Sequence, residues 1–230
     1  MFNLKKKGSF IMLELREYKA AELAQILKTN TKQALDRKLE SWGITFTSDE
    51  RRGDNRKYTL TAIENPFKIY CITELNIDSH TDFYKLQNCF YYFLNDPKFR
   101  DIPDEMREDY TEAEGKKISR QSISKYIKHL SKNELVLLNS AEYNHYFAYQ
   151  DFRIFADEKT YKEAWNLYWQ LINDEEHSSY AISEVVKKYG GVPRKQPKPA
   201  LNGIYNSTLK TLNELVCAEI EKEVKIKLEN

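Results

Sequence analysis

The stretch RRGDNRKYTLT, residues 51–61, concentrates four cationic side chains around a glycine. Guanidinium and ammonium groups bind phosphate oxygens through charge-assisted hydrogen bonds, so such a cluster suits a polyanionic partner. A solvated surface turn is the simpler alternative, because charged side chains are common in exposed turns. The four cations are Arg51, Arg52, Arg56 and Lys57.

The charge of the chain is unevenly distributed. Its net charge is only +1, which gives no global signal for nucleic-acid binding. Residues 1–64, however, carry 13 Lys and Arg against 9 Asp and Glu, whereas residues 65–152 carry 11 against 14. We therefore expect a polyanion to approach the N-terminal part first.

Patterns typical of catalysis are absent from the sequence. It contains no phosphate-binding loop, no Gly-x-Ser-x-Gly elbow and no His-Glu-x-x-His motif. Cys71, Cys89 and Cys217 are odd in number and far apart, which favours reduced thiols and a cytoplasmic location. No apolar run is long enough to cross a membrane. We expect no enzymatic activity, no metal ion, no cofactor and no membrane partner.

The cationic stretch is preceded by two segments with helical patterns. Strong helix formers fill residues 19–30, and an amphipathic pattern covers residues 32–43, ending at Gly43. Alternating apolar residues then predict strands at 44–48 and 57–61, which the cationic stretch would join as a hairpin. A helix-turn-helix followed by a β-hairpin, or wing, is therefore predicted for residues 10–64.

A second unit of the same kind is predicted for residues 82–153. It follows a connector at residues 65–81 that contains a β-leaning segment. Helical patterns cover residues 82–96 and the acidic stretch 103–115. The next helix has Ser119 as a candidate N-cap and an apolar stripe on one face. Strands are predicted from Leu135 to Leu138 and at 146–152, as a second wing. The stripe contains Ile123, Tyr126, Ile127 and Leu130.

The C-terminal region, residues 154–230, has a helical character. Trp165 and Trp169 belong to a wide apolar helical face, and we expect both in the core. An extended, Pro-rich basic strap is predicted for residues 193–199. The last helix has an apolar stripe that could pack on the core or pair with the same helix of a second copy, giving a homodimer. That stripe contains Leu209, Leu212, Val216, Ile220 and Val224. The predicted fold class is mainly α with small β-hairpins (α+β).

The segment ISRQSISKYIKHLSKNELV, residues 118–136, resembles the winged-helix transcription regulators of bacteria, phages and plasmids. It has Glu134-Leu135-Val136 where these proteins commonly have Gly-Leu-Ile. The matching positions are Ile118, Ser119, Arg120, Ser122, Ile123, Ile127 and Leu130. The N-terminal segment resembles the same superfamily through Leu23, Ala24, Leu27, Leu35, Leu39 and Gly43.

This resemblance implies that exposed residues early in the second helix of each unit reach base edges in the major groove of DNA. In the first unit these are Lys32, Gln33, Asp36 and Arg37. In the second unit they are Arg120, Gln121, Ser124, Lys125 and Lys128.

The resemblance and the cations together predict a protein that binds double-stranded DNA, most simply a transcriptional regulator. A replication initiator or accessory factor of a plasmid or phage is the alternative within the same class. A rival from another class is a protein-interaction module that keeps the winged-helix fold without binding DNA. The acidic residues 101–114 support this rival for the second unit, because carboxylates repel phosphates and would favour a protein partner.

Overall fold

The computed structural model describes residues 13–29, 33–49, 55–150, 152–174 and 176–229. It confirms the predicted α+β class, since helices dominate and the strands form small antiparallel sheets. The chain divides into two compact units. One comprises Met1–Phe83 with Glu214–Asn230, and the other comprises Tyr84–Asn213.

The first unit combines two short helices with a three-stranded sheet. The order along the chain is β1, α1, α2, β2 and β3, and β3 lies between β1 and β2 in the sheet. The strands are β1 (Glu17–Lys19), β2 (Ile44–Ser48) and β3 (Lys57–Ile63), and the helices are α1 (Ala20–Ile26) and α2 (Gln33–Ser41). The predicted helices and strands are therefore present. Residues 50–54, at the predicted tip of the hairpin, lie outside the described part of the chain.

Periodic apolar side chains explain why these elements pack together. Leu35 and Leu39 point inward from α2 at a spacing of one helical turn, while Tyr58 and Leu60 alternate along β3. Gly43 follows α2 with φ of +75°, the left-handed conformation that a glycine adopts without strain. One buried cluster therefore holds α2 against the sheet, leaving the opposite face of α2 to solvent.

Residues 65–81 contain a helix, so the β-leaning segment predicted within this connector is wrong. Helix α3 (Pro66–Thr73) begins after Asn65, whose side chain accepts a hydrogen bond from the Lys68 backbone N–H at 2.7 Å. Pro66 occupies the first helical position, where its fixed φ favours a helix. These start signals outweigh the β-branched and aromatic composition of the segment. The helix buries Phe67, Ile69, Tyr70 and Cys71.

In the second unit, three helices and a 3-10 turn precede the helix that carries the candidate site. Helices α4 (Phe83–Asn95) and α5 (Pro97–Asp101) lead to a 3-10 turn at Asp104–Met106 and to α6 (Arg107–Ala113). Helix α7 (Arg120–Lys132) follows, and the side chain of its N-cap, Ser119, accepts a hydrogen bond from the Ser122 N–H. The predicted stripe of α7 is buried, as expected.

Helix α7 ends in a turn that glycine usually forms but that Glu134 forms here. Glu134 has φ of +60°, its N–H donates to the Ser131 carbonyl, and the Leu135 N–H donates to the Leu130 carbonyl. This pair of bonds is the Schellman pattern. The Glu134 carboxylate accepts a hydrogen bond from the Tyr205 hydroxyl. The chain therefore makes the tight turn without the glycine of the related motif.

The predicted second wing is wrong in its pairing. Strand β4 (Val136–Leu137) pairs with β8 (Ala200–Leu201), whereas β5 (Tyr143–Tyr149) lies between β6 (Phe152–Ala156) and β7 (Val192–Pro197). Most of the predicted strap is thus a strand. Its prolines are compatible with this position because β7 is an edge strand, in which alternate N–H groups have no partner in the sheet.

The pairing of β5 with β7 extends the second unit beyond its predicted C-terminal boundary. Helices α8 (Glu158–Ile172) and α9 (Ala181–Tyr189) separate these two strands in sequence, so both helices belong to the second unit. The structural division therefore differs from the predicted boundary after residue 153.

Helix α10 (Asn206–Glu229) is the last helix of the described residues. The expectation that Trp169 is a core residue is also wrong, because 55% of it is exposed.

Candidate nucleic-acid interface

The exposed face of α7 brings together all five residues predicted for the second unit. Together with His129 and Lys132 they line one open groove of about 650 Å³. The helix has this polar face because Ile123, Ile127 and Leu130 occupy the opposite, buried side. The five predicted residues in the groove are Arg120, Gln121, Ser124, Lys125 and Lys128.

Three lysines give this face its charge. Lys125, Lys128 and Lys132 are exposed, and successive members are three and four residues apart, so they project from the same side of α7. Within the described residues, none of the three ammonium groups makes a hydrogen bond or an ion pair. Helix α7 itself contains no Asp or Glu. These ammonium groups are therefore available to an anionic partner.

His129 lies among these lysines and responds to them. Its pKa is below the ordinary value of 6.5, first because the ring is partly buried and then because Lys132 and Lys125 repel a further positive charge. The imidazole is therefore neutral at neutral pH in the free protein. A phosphate placed between the lysines would weaken that repulsion and favour the protonated ring.

Arg120, at the start of α7, has acidic partners from the preceding turn and helix. Its Nη2 lies 3.4 Å from Oε1 of Glu105, and its backbone N–H donates to Glu108 at 2.9 Å. The second carboxylate oxygen of Glu105 accepts from Arg153 at 2.5 Å. The acidic stretch thus neutralises the first turn of α7 and leaves the lysines of the later turns unopposed.

A smaller cavity of about 220 Å³ adjoins this groove. Ser124 and Lys128 contribute to both, and Leu138, Pro197 and Pro199 line the far side of the cavity. The far side belongs to the end of β7 and to residues next to β4 and β8. The β4–β8 ribbon therefore lies beside α7.

In the first unit, three of the four predicted contact residues whose side chains the structure describes bind other residues of that unit. Asp36 of α2 accepts hydrogen bonds from the Tyr58 hydroxyl at 2.7 Å and from Arg56 at 3.2 Å. Burial raises the pKa of Tyr58 to about 12, and the hydrogen bond to Asp36 acts in the same direction. Lys57 forms an ion pair with Glu17 at 2.7 Å. The carboxylate of Asp36 is thus already hydrogen-bonded to side chains of its own unit.

The remaining predictions for the first unit have mixed outcomes. Arg37 is exposed on α2 and has no ion-pair partner within the described residues. Gln33 is the first residue of α2. Lys32, Arg51 and Arg52 lie outside the described part of the chain. Of the four cations predicted for the wing, the structure therefore describes only Arg56 and Lys57.

This chain matches no protein-family model, no curated protein and no solved structure. Its function must therefore be inferred from the residues of the site. Among the helices that the structure describes, none combines the length and apolar character needed to cross a bilayer. The described residues also contain no group of three or more His, Cys, Asp or Glu side chains arranged to hold a metal ion.

His129 and Lys132 also line the groove, although neither is among the residues predicted from the sequence. The resemblance concerns residues early in the helix, whereas these two lie in its last two turns. The helical period alone identifies them, because Lys132 lies four residues after Lys128 and His129 lies four after Lys125. Extending the predicted exposed face to the end of α7 would have included both residues.

Proposed function

We propose that this protein binds double-stranded DNA and that α7 is its principal contact helix. The observation that carries the proposal is the groove of about 650 Å³ in which Lys125, Lys128 and Lys132 have no acidic partner among the described residues. Ammonium groups at this spacing neutralise backbone phosphates. Gln121 and Ser124, on the same face, carry the amide and hydroxyl groups that hydrogen-bond base edges in the major groove.

A winged-helix assignment is supported most directly by the first unit. There the order β1, α1, α2, β2, β3, with β3 central, places a hairpin directly after the second helix. In the second unit the β4–β8 ribbon takes the flanking position, so we propose a variant of the same arrangement. The contact surface of the first unit then comprises Arg37 and the cations of the hairpin.

Two biological roles use such a surface and differ in the DNA that they bind. A dimeric transcriptional regulator prefers palindromic sites, because its two-fold symmetry matches that of the DNA. An initiator or accessory factor for plasmid or phage replication would prefer direct repeats. Selection of bound sequences from random duplexes separates the two roles by the symmetry of the recovered sites.

Homodimerisation through α10 stays a prediction, with partial support. Leu209, Leu212 and Val216 are buried, which fits packing within the chain for the first half of the stripe. Val224 and Leu228 are exposed four residues apart on the last turns. The second half therefore offers a short apolar stripe to a partner.

Salt-dependent binding to random-sequence duplex DNA tests the proposal. We expect wild-type affinity to fall steeply with salt, and Lys125→Ala/Lys128→Ala/Lys132→Ala to reduce the slope by about 0.9 for each phosphate that is no longer neutralised. The matched control is Lys159→Ala/Lys187→Ala/Lys188→Ala, which removes the same charge from exposed positions on α8 and α9. The control should keep the wild-type slope.

A second variant tests the first unit by replacing the four cations of residues 51–57 with Ala. A shallower slope in this variant assigns phosphate binding to the hairpin. Equal reductions of the slope in the α7 variant and its control would contradict the assignment to α7. Absence of wild-type binding at low salt would contradict DNA binding itself and favour the protein-interaction alternative.

A further inference from the structure

Strand β6 is an edge strand with unusually apolar exposed side chains. In the second sheet β5 covers one side of β6, and no described strand pairs with the other. Its exposed residues include Phe152 at 71%, Phe155 at 52% and Ile154 at 47% of their surface. Soluble proteins usually protect such an edge with charge, proline or a covering segment. An edge of this composition marks an interaction surface.

The outer backbone groups of β6 belong to Arg153 and Phe155. Only two residues join β5 to β6, so Tyr149 and Phe152 form the closing, hydrogen-bonded pair of the hairpin. Bonded and outward-facing residues then alternate along the strand. The N–H and C=O groups of Arg153 and Phe155 therefore point away from β5, and no described residue outside the hairpin bonds to them.

We propose that β6 pairs antiparallel with β6 of a second copy of this chain, about a two-fold axis at Ile154. Ile154 is the middle residue of the five-residue strand, so this register pairs the strand along its whole length. Arg153 of each copy lies opposite Phe155 of the other. The outward backbone groups of these two residues then exchange four hydrogen bonds across the axis.

The side chains of β6 complement one another in this register. The large Phe152 lies opposite the small Ala156 of the second copy, and the two Ile154 side chains meet at the axis. Arg153 faces an aromatic ring, an arrangement that favours a cation–π contact. Its charge is already paired with Glu105 at 2.5 Å within its own copy, so no bare like charges face each other.

Other registers fit less well. An axis at Arg153 would place two guanidinium groups directly opposite each other, which is destabilising. An axis at Phe155 would pair Arg153 with Asp157 of the second copy. Asp157 is the N-cap of α8, its carboxylate accepts from Thr160 at 2.8 Å, and the chain turns into a helix there. Self-pairing about Ile154 is thus the register that uses the whole edge.

Sedimentation equilibrium and amide exchange of the full chain without DNA test this dimer. We expect a reversible dimer, in which the amides of Arg153 and Phe155 gain protection as protein concentration rises. Phe155→Lys should weaken the dimer by about tenfold or more, because it places a lysine opposite Arg153 of the second copy. Ile204→Lys is the matched control, since Ile204 is 80% exposed elsewhere in the same unit.

Near-ultraviolet circular dichroism of Phe155→Lys checks that the variant is folded, and the exchange measurement on wild type does not depend on it. A wild-type chain that stays monomeric would overturn the proposal. A dimer that resists Phe155→Lys but is abolished by Leu228→Lys would assign dimerisation to α10 instead. Protection of the two amides only after a different protein is added would identify a heterologous strand as the occupant.

Discussion

The guanidinium of Arg56 donates a hydrogen bond to the carboxylate of Asp36, with 3.2 Å between Nη1 and Oδ2. The same carboxylate accepts from the buried Tyr58 hydroxyl, so one side chain of α2 connects the helix to the start of β3. Asp36 therefore has a structural role in the first unit, and Arg56 reaches the surface in a fixed orientation.

Asp36→Ala should lower the free energy of unfolding by about 1–3 kcal/mol, because it leaves the buried Tyr58 hydroxyl without an acceptor. Urea unfolding measures the change, and Arg37→Ala, at the next and exposed position, should stay within about 0.5 kcal/mol of wild type. The double variant Asp36→Ala/Tyr58→Phe should cost less than the two single changes added together. Strict additivity would contradict this coupling.

DNA binding should strengthen as the pH falls through the pKa of His129, because this pKa lies below 6.5 in the free protein and phosphate would raise it. Protonation of His129 would then accompany binding, whereas the lysines stay charged throughout. Anisotropy titrations from about pH 8 to about pH 5 measure the effect. His129→Gln should flatten the profile. The control His177→Gln changes an exposed histidine of the same unit and should not.

Glu134→Gly should yield a more stable protein than Glu134→Ala, by about 1 kcal/mol. Both variants lack the hydrogen bond from Tyr205, but only glycine adopts the left-handed conformation at this position without strain. Thermal unfolding of the two variants provides the comparison. Equal stabilities would show that the turn after α7 relaxes when Glu134 is replaced.

Gly191→Ala should destabilise the second unit by about 1–3 kcal/mol through overpacking. A Cβ atom at Gly191 would lie 2.7 Å from the backbone nitrogen of Ala148 in β5, which cannot move without disturbing the sheet. Gly203→Ala is the control, because the nearest atom to a Cβ there is 3.9 Å away. Similar unfolding free energies for the two variants would refute the close contact between these segments.

Local patterns predicted α1, α2, β2 and β3 because these consecutive elements of the first unit pack against near neighbours in the sequence. Strands β2 and β3 follow from alternation, and their partners lie across one short connection. The same reasoning failed for β4 and β5, since nothing in a strand's own pattern identifies a partner that returns after two helices. It also failed for α3, where composition favoured a strand but Asn65 and Pro66 start a helix.

The candidate site shows the same contrast. The outward face of α7 follows from helical periodicity, so its residues could be named from sequence, and Lys132 could have been added by the same rule. The bonds of Asp36 to Arg56 and Tyr58 could not, because they join α2 to residues beyond a strand and a connection. Whether a charged side chain is available to a ligand depends on such distant partners.

Strands β7 and β8 follow α8 and α9 in the sequence, so during synthesis they become available for pairing later than β4, β5 and β6. When β5 and β6 leave the ribosome, one side of β5 and the whole of β4 still await strands that follow α8 and α9. Pairings between distant segments form slowly and leave strand edges open to aggregation in the meantime. A fragment ending at residue 153 would lack β7 and β8 permanently and would also truncate β6. The shortest fragment from residue 84 onward that can complete both sheets of the second unit ends at Leu201.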